Sequence, residues 1–211
     1  MTKIIVFGAS GGTGKQVVLH ALEEGHEVTV VIRNPEAFTI QRNNLKIIKG
    51  DVLQPATFEN EMRGHTAVIS CLGIPKIQST VLYSQGIKNI VQAMKQAGID
   101  RILCISSGAI SIPPGSSRIM TFLLKNVLQR LYKPVYSDMV LMENTLRASD
   151  LSWTVLRAPK LTDGKSKMNY RVITQQPLRS IPVISRADLA HYLVSHVGDE
   201  LTYKSVVEIA Y

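Results

Sequence analysis

The chain has only two cysteines in 211 residues, Cys71 and Cys104, and neither belongs to a Cys-x-x-Cys pair. That argues against a disulfide framework and against a thiolate metal site. Each ends an apolar run, where a free cysteine packs as a small hydrophobe. The five histidines (His20, His26, His65, His191 and His196) are dispersed without metal-ligand spacing, so no metal is expected. No apolar run approaches the roughly 18 residues of a membrane span. The amino terminus, Met1-Thr2-Lys3 and then a short apolar run ending at Gly8, lacks the long apolar stretch and cleavage site of a secretory signal. A cytoplasmic location is the expectation. Acidic residues are also scarce: 16 against 24 basic ones, for a net charge of +8. The basic residues form no run of four, so nucleic acid is not an expected partner, and an anionic ligand accounts for part of the excess.

What is present is a regular alternation. Lys3 to Phe7 is a nearly continuous apolar run, as expected of a strand buried on both faces. A glycine-rich turn follows, then a helical pattern from Thr13 to Glu24 with Val17, Val18, Ala21 and Leu22 on one face, closed by Gly25. Further strands are read at 27–32, 45–48, 67–70, 101–105, 153–156 and 206–209, with a possible short one at Val172-Ile173. Helices are read near 56–63, at 80–97, 118–132, 135–148 and 187–196, with Pro134 breaking the middle pair and Pro113-Pro114-Gly115 marking a loop. This pattern predicts an α/β fold: a Rossmann-type doubly wound parallel sheet with helices on both faces. With no repeat or linker, residues 1–211 read as one domain, with a small irregular substrate-side region at about 160–182.

Gly8-Ala9-Ser10-Gly11-Gly12-Thr13-Gly14 lies between the first strand and the first helix. A turn there needs residues without Cβ, to leave the strand sharply, to let the backbone approach a pyrophosphate, and to seat the helix on the strand. The helix amino terminus offers free N–H groups and partial positive charge, and the Ser10 and Thr13 hydroxyls can add hydrogen bonds. Arg33 follows the second strand, where an NAD-binding domain usually carries an acid for the ribose 2′-hydroxyl. A guanidinium there suits a 2′-phosphate, and no acid follows until Glu36, so NADP(H) is expected over NAD(H).

With these residues in place, the chain resembles the atypical short-chain dehydrogenase/reductases. The similarity is to their NAD(P)H-binding group, which includes biliverdin IXβ reductase (flavin reductase) and the NmrA-like proteins. Besides the glycine turn it rests on Val31-Ile32-Arg33-Asn34-Pro35, Gly50-Asp51-Val52, Ser70-Cys71-Leu72-Gly73, Ile105-Ser106-Ser107 and Ile184-Ser185-Arg186-Ala187-Asp188-Leu189-Ala190, and it covers nearly the whole chain. The resemblance implies that Asp51 and Val52 hold the adenine, and that Cys71, Leu72 and Gly73 pass beside the adenosine ribose and phosphates. It also implies that Ser106 and Ser107 face the nicotinamide, and Pro159 is read as a further cofactor-binding residue. In the last motif, Ser185 or Asp188 is expected to cap a helix, and Arg186 is not read as catalytic.

The Tyr-x-x-x-Lys pair of the broader superfamily is missing: none of the seven tyrosines has a lysine four places on. Aligned on Glu143 and the Trp153 strand, the two positions fall on Val135 and Met139, and Tyr136 sits one residue off, about 100° around the helix. Reductases similar to biliverdin IXβ reductase also lack the pair and deliver hydride to a conjugated acceptor that spreads the charge itself. Two readings follow. One is an NADPH-dependent reductase of a flavin, quinone or tetrapyrrole-like acceptor, with Ser107 as the polar group at the reacting atoms. Tyr132, Tyr136 and Met139, with Asp138 nearby, would line its pocket. The other is a non-catalytic, NmrA-like sensor of NADP(H). Lys160, Lys165, Lys167, Arg171 and Arg179 would favour an acidic acceptor.

Overall fold

In the computed structural model, residues 1–112, 116–174 and 183–211 are described. The Pro113-Pro114-Gly115 loop and Arg179 lie outside them. The element order is β1 (Lys3–Phe7), α1 (Gly12–Glu23), β2 (Glu27–Ile32), β3 (Leu45–Lys49), β4 (Ala67–Ser70), α2 (Leu82–Ala97), β5 (Arg101–Ser107), α3 (Arg118–Leu123), α4 (Gln129–Leu131), α5 (Lys133–Arg147), β6 (Ser152–Ala158), β7 (Lys160–Thr162), β8 (Arg171–Thr174), β9 (Val183–Ser185), α6 (Arg186–Ser195) and β10 (Ser205–Ala210).

Among the described residues, eight strands form one sheet in the order β3-β2-β1-β4-β5-β6-β10-β8. All neighbours are parallel except β8, which runs antiparallel to β10 at the edge. The expected doubly wound fold is therefore present, with the strand order reversing at β1. Residues alternate between two cores. Ile4 and Val6 of β1 face α1 and α6 and pack with Val17, Val18, Leu189 and Leu193. Ile5 and Phe7 face α2 and α5 and pack with Ile87, Ile90, Met94 and Met142. Both faces are dry, which is why these strands read as continuous apolar runs.

Four features differ from the sequence reading. The short helix read near 56–63 is instead two 3-10 turns, Pro55–Thr57 and Glu59–Met62, each too brief to carry a helical period. Pro134 does not break the middle helices. It sits in the first turn of α5, where its missing N–H costs nothing, and the chain turns two residues earlier at Tyr132. The stretch from Lys160 is not all loop: β7 pairs in parallel with β9 through Lys160–Val183, Leu161–Ile184 and Thr162–Ser185. A three-residue strand is too short to leave a period in sequence. Residues Leu124–Leu128, inside the helix read at 118–132, form a π-helical turn joining α3 to α4. Among the described residues, no helix is long and apolar enough to cross a membrane.

Candidate active site

The sheet places the carboxyl ends of its parallel strands along one edge, where ligands bind in this architecture. Gly8 follows β1, Arg33 follows β2, Asp51 and Val52 follow β3, Cys71 follows β4, Ser106 and Ser107 end β5, and Pro159 follows β6. Residues far apart in sequence thus share one edge.

Backbone crowding fixes the shape of the glycine turn. Gly8 has φ +76, and a Cβ there would overlap the Cys71 carbonyl oxygen and stand 2.9 Å from the Leu72 nitrogen. Cys71 thus touches the turn through its main chain, and the Cys71 N–H donates to Phe7 O at 2.9 Å. Gly11 donates to Gly8 O at 3.1 Å and, as N-cap of α1, receives no side-chain cap. Ser10, Gly11 and Gly12 are exposed, while Thr13 and Gly14 are buried under them. An uncapped helix start with an exposed, Cβ-free approach fits a diphosphate.

On the flank, Arg33 is exposed at the end of β2. The Asp51 carboxylate accepts from Leu53 N at 3.0 Å, forming a local turn. Val52 is buried and packs near Leu72 against the position of Gly86, and its carbonyl accepts from Asn89 Nδ2 at 2.8 Å. Gly73 is exposed beyond them. Burial raises both thiols, Cys104 to about 12 and Cys71 further. Both cysteines are free and buried, and neither supplies a thiolate nucleophile near neutrality.

The two serines of β5 face different partners. Ser106 is buried and donates to Glu143 Oε1 at 2.7 Å. Arg157 completes that cluster, with Nη2 at 2.7 Å from Glu143 Oε2. Burial alone would raise the Glu143 carboxyl, but Arg157, Ser106 and Arg147 outweigh it and hold it below its ordinary value. Ser107 is half-buried, accepts from Ala109 N at 3.3 Å, and lies beside the Tyr136 hydroxyl. Burial raises that hydroxyl, and Ser107 partly offsets the rise. Tyr136 therefore reaches the end of β5 despite its one-residue offset, and its ring stacks on Tyr132 with centroids 5.4 Å apart. Met139, half-buried, packs on the α2–α5 core. Asp138 is turned away from this group: it is buried and accepts from Tyr83 N at 2.8 Å and Ser84 N at 3.3 Å, at the start of α2.

The sequence reading missed Glu208. Its buried carboxyl lies in the same sheet row as Arg157 and Ser106, with Oε1 3.8 Å from Arg157 Nη1. Burial pushes it up to about 7, against the pull of Arg157 and with the repulsion of Glu143. A lone Glu in an apolar strand was the available signal, but only the β6–β10 pairing places it. Among the described residues, no cluster of His, Cys, Asp and Glu could hold a metal.

A doubly wound sheet with a glycine-rich turn at its switch point defines a dinucleotide-binding protein. The family model described as NAD(P)H-binding matches residues 8–200, and the chain belongs to that family. It is 26% identical over 204 residues to the uncharacterized protein YwnB of Bacillus subtilis, covering 95% of this chain and 92% of that one. It is 25% identical over 217 residues to the photosystem II assembly factor Ycf39 of Guillardia theta, but spans only 64% of that protein's length. A solved structure from Streptococcus pneumoniae, proposed to be an NADH-flavin reductase, superposes with a TM-score of 0.81 at 25% identity over 100% of this chain and 99% of that one. The anaerobillin reductase ChuY of Escherichia coli O157:H7 superposes with a TM-score of 0.81 at 22% identity, over 99% and 97% of the two chains, a likeness of fold.

Proposed function

We propose that the chain is an NADPH-dependent reductase that passes hydride to a flat conjugated acceptor such as a flavin, quinone or tetrapyrrole. The observation that carries this reading is the stacked Tyr132–Tyr136 pair, with the Tyr136 hydroxyl beside Ser107 at the end of β5. Aromatic faces offer a surface for a planar acceptor, and the hydroxyl pair offers polar contact where charge develops on it. The flavin and anaerobillin reductase names among the structural neighbours agree with that acceptor class.

The Gly8–Gly14 turn would hold the diphosphate, Asp51 and Val52 the adenine, and Arg33 the 2′-phosphate. When bound, the dinucleotide supplies a hydride equivalent. Ser107 and the neighbouring Tyr136 hydroxyl orient the acceptor, while Ser106 stays in the Glu143–Arg157 cluster and keeps the strand end in register. The described residues from Lys160 to Thr174 lie on the acceptor side of a single functional unit, and the two free thiols are consistent with a cytoplasmic location.

The test is oxidation of NADPH with FMN, FAD and quinones, followed by absorbance. Turnover is expected with at least one of them. Ser107→Ala should lower kcat about 10²-fold, the usual worth of a positioned polar group in proton transfer. Tyr136→Phe, which keeps the ring, should lose less. Tight NADPH binding without turnover on any acceptor would overturn the reductase reading. It would favour the sensor instead, to which exposed apolar residues on α3 and its continuation (Ile119, Phe122, Val127 and Leu131) would offer a partner surface.

The cofactor preference has its own test. Titration calorimetry with NADPH and NADH should show wild type favouring NADPH, and Arg33→Asp should weaken NADPH binding about 10- to 100-fold, as loss of a charge-assisted phosphate contact does. Unchanged NADPH affinity in that variant would remove Arg33 from its assigned role.

A further inference from the structure

Arg186 is the first residue of α6, and its side chain lies on the phosphate turn. A Cβ built at Gly12 would stand 2.8 Å from Arg186 Cδ and 2.9 Å from Nε. The arginine stem thus rests on the open side of the first residue of α1. Helices α1 and α6 pack together through Val17, Val18, Leu189 and Leu193, so both begin at the same edge of the sheet. The far end of the guanidinium is held by Asp163: Nη1 lies 2.6 Å from Oδ1. Asp163 follows β7, and its side chain is 89% exposed against 29% for Arg186.

An ion pair so exposed on its acidic side contributes little, because water competes for the carboxylate. A diphosphate seated on the α1 amino terminus presents more charge, and its non-bridging oxygens can accept two hydrogen bonds from the planar guanidinium fork. The Cβ-free surface of Gly12 lets the arginine stem lie flat against the turn.

We propose that Arg186 is a latched diphosphate ligand. In the free protein Asp163 holds it beside the phosphate turn, and a bound dinucleotide takes the guanidinium from Asp163, which therefore acts as an internal competitor that lowers affinity. The proposal rests on the dinucleotide reading of the Gly8–Gly14 turn and adds to it a residue 172 positions downstream of that turn (186 − 14).

Titration calorimetry tests it with two probes: NADPH, and adenosine 2′-monophosphate, which has the adenine and 2′-phosphate but no diphosphate. Arg186→Gln should weaken NADPH about 10- to 100-fold, the worth of a charge-assisted hydrogen bond, and leave the monophosphate unaffected. Asp163→Asn, a surface change that leaves the fold intact, should tighten NADPH about two- to fivefold, the worth of an exposed ion pair. In the Arg186→Gln background, Asp163→Asn should have no effect. A structural role for Arg186 would instead weaken both probes and lower Tm. Unchanged NADPH affinity in Arg186→Gln, or unchanged or weaker affinity in Asp163→Asn, overturns the latch while leaving the dinucleotide reading intact. Failure of the wild-type protein to bind NADPH would overturn both.

Discussion

Gly14→Ala is expected to lower stability by about 3 kcal/mol and to weaken NADPH binding at least 10²-fold. The alanine Cβ would overlap the Gly8 carbonyl oxygen and stand 2.8 Å from both Gly8 C and Ala9 Cα. Every one of those atoms is backbone, so no side chain can rotate away. Either the turn opens or α1 lifts from β1. Lifting α1 would loosen Val17, Val18 and Ala21, all fully buried against β1, β2 and α6. Overpacking in a dense core costs about 1–3 kcal/mol, and an unyielding backbone puts this site at the upper end. The first-turn N–H groups would move with the helix, hence the parallel loss of affinity. Gly11→Ala is the contrasting variant. Its Cβ meets only Gly8 O, at 3.4 Å, so stability should hold while any loss of binding reports how close the diphosphate approaches. Denaturant unfolding and calorimetry on both variants decide the matter. Gly14→Ala with an unchanged unfolding midpoint would show that the turn is not packed as described.

The first 32 residues were legible because each level agreed: an apolar run, a glycine turn, an amphipathic helix and a second β-branched run all imply β-α-β. The set of edge residues was legible too, since the doubly wound fold sends every strand end to the same side. Illegible features were those decided by pairing between distant strands. The row Ser106–Arg157–Glu208 exists because β6 lies between β5 and β10. Nothing in the local sequence of Ser106 distinguishes it from Ser107, yet alternation along the strand gives one to Glu143 and leaves the other to Tyr136. Tyr136 was judged by its offset from Val135. A long aromatic side chain at the end of a helix covers the distance that the offset removes. Arg186 was read with its motif as helix-start structure, because a sequence shows the cap at Ser185 but not that α6 begins beside α1.

That cap belongs to a larger cluster, and Asp188→Ala should destabilise the protein by about 3–5 kcal/mol, because several buried donors would be left unsatisfied at about 1–3 kcal/mol each, partly relieved by water. Asp188 is fully buried. Its carboxylate accepts from Ser166 Oγ at 2.6 Å, Lys167 N at 3.0 Å, Met168 N at 2.9 Å, Ser185 Oγ at 3.0 Å and the Tyr211 hydroxyl. Three segments thus converge on one side chain: the loop after β7, the start of α6 and the residue after β10. Met168 has φ 49, a left-handed conformation that costs a non-glycine residue about 1 kcal/mol and that the bond from Met168 N to Asp188 offsets. Alanine would leave five donors facing a void. The charge state gives a second readout. Burial alone would raise Asp188, but Ser166, Tyr211, Met168 and Lys167 together hold it far below the usual carboxylate range. Its folded-state value lies below the unfolded one, so the unfolded chain binds the proton first. The stabilisation is therefore complete above the ordinary carboxylate pKa of about 4 and is lost as pH falls below it. Asp188→Asn should flatten that acid limb while retaining part of the cluster. Glu143 contributes with the same sign, and Glu208, raised by burial, with the opposite sign nearer neutrality. Subtracting the Asp188→Asn unfolding curve from the wild-type curve at each pH isolates Asp188 from both. A difference that stays constant from about pH 2 to 7 would mean that the carboxylate is not charged where these five donors meet.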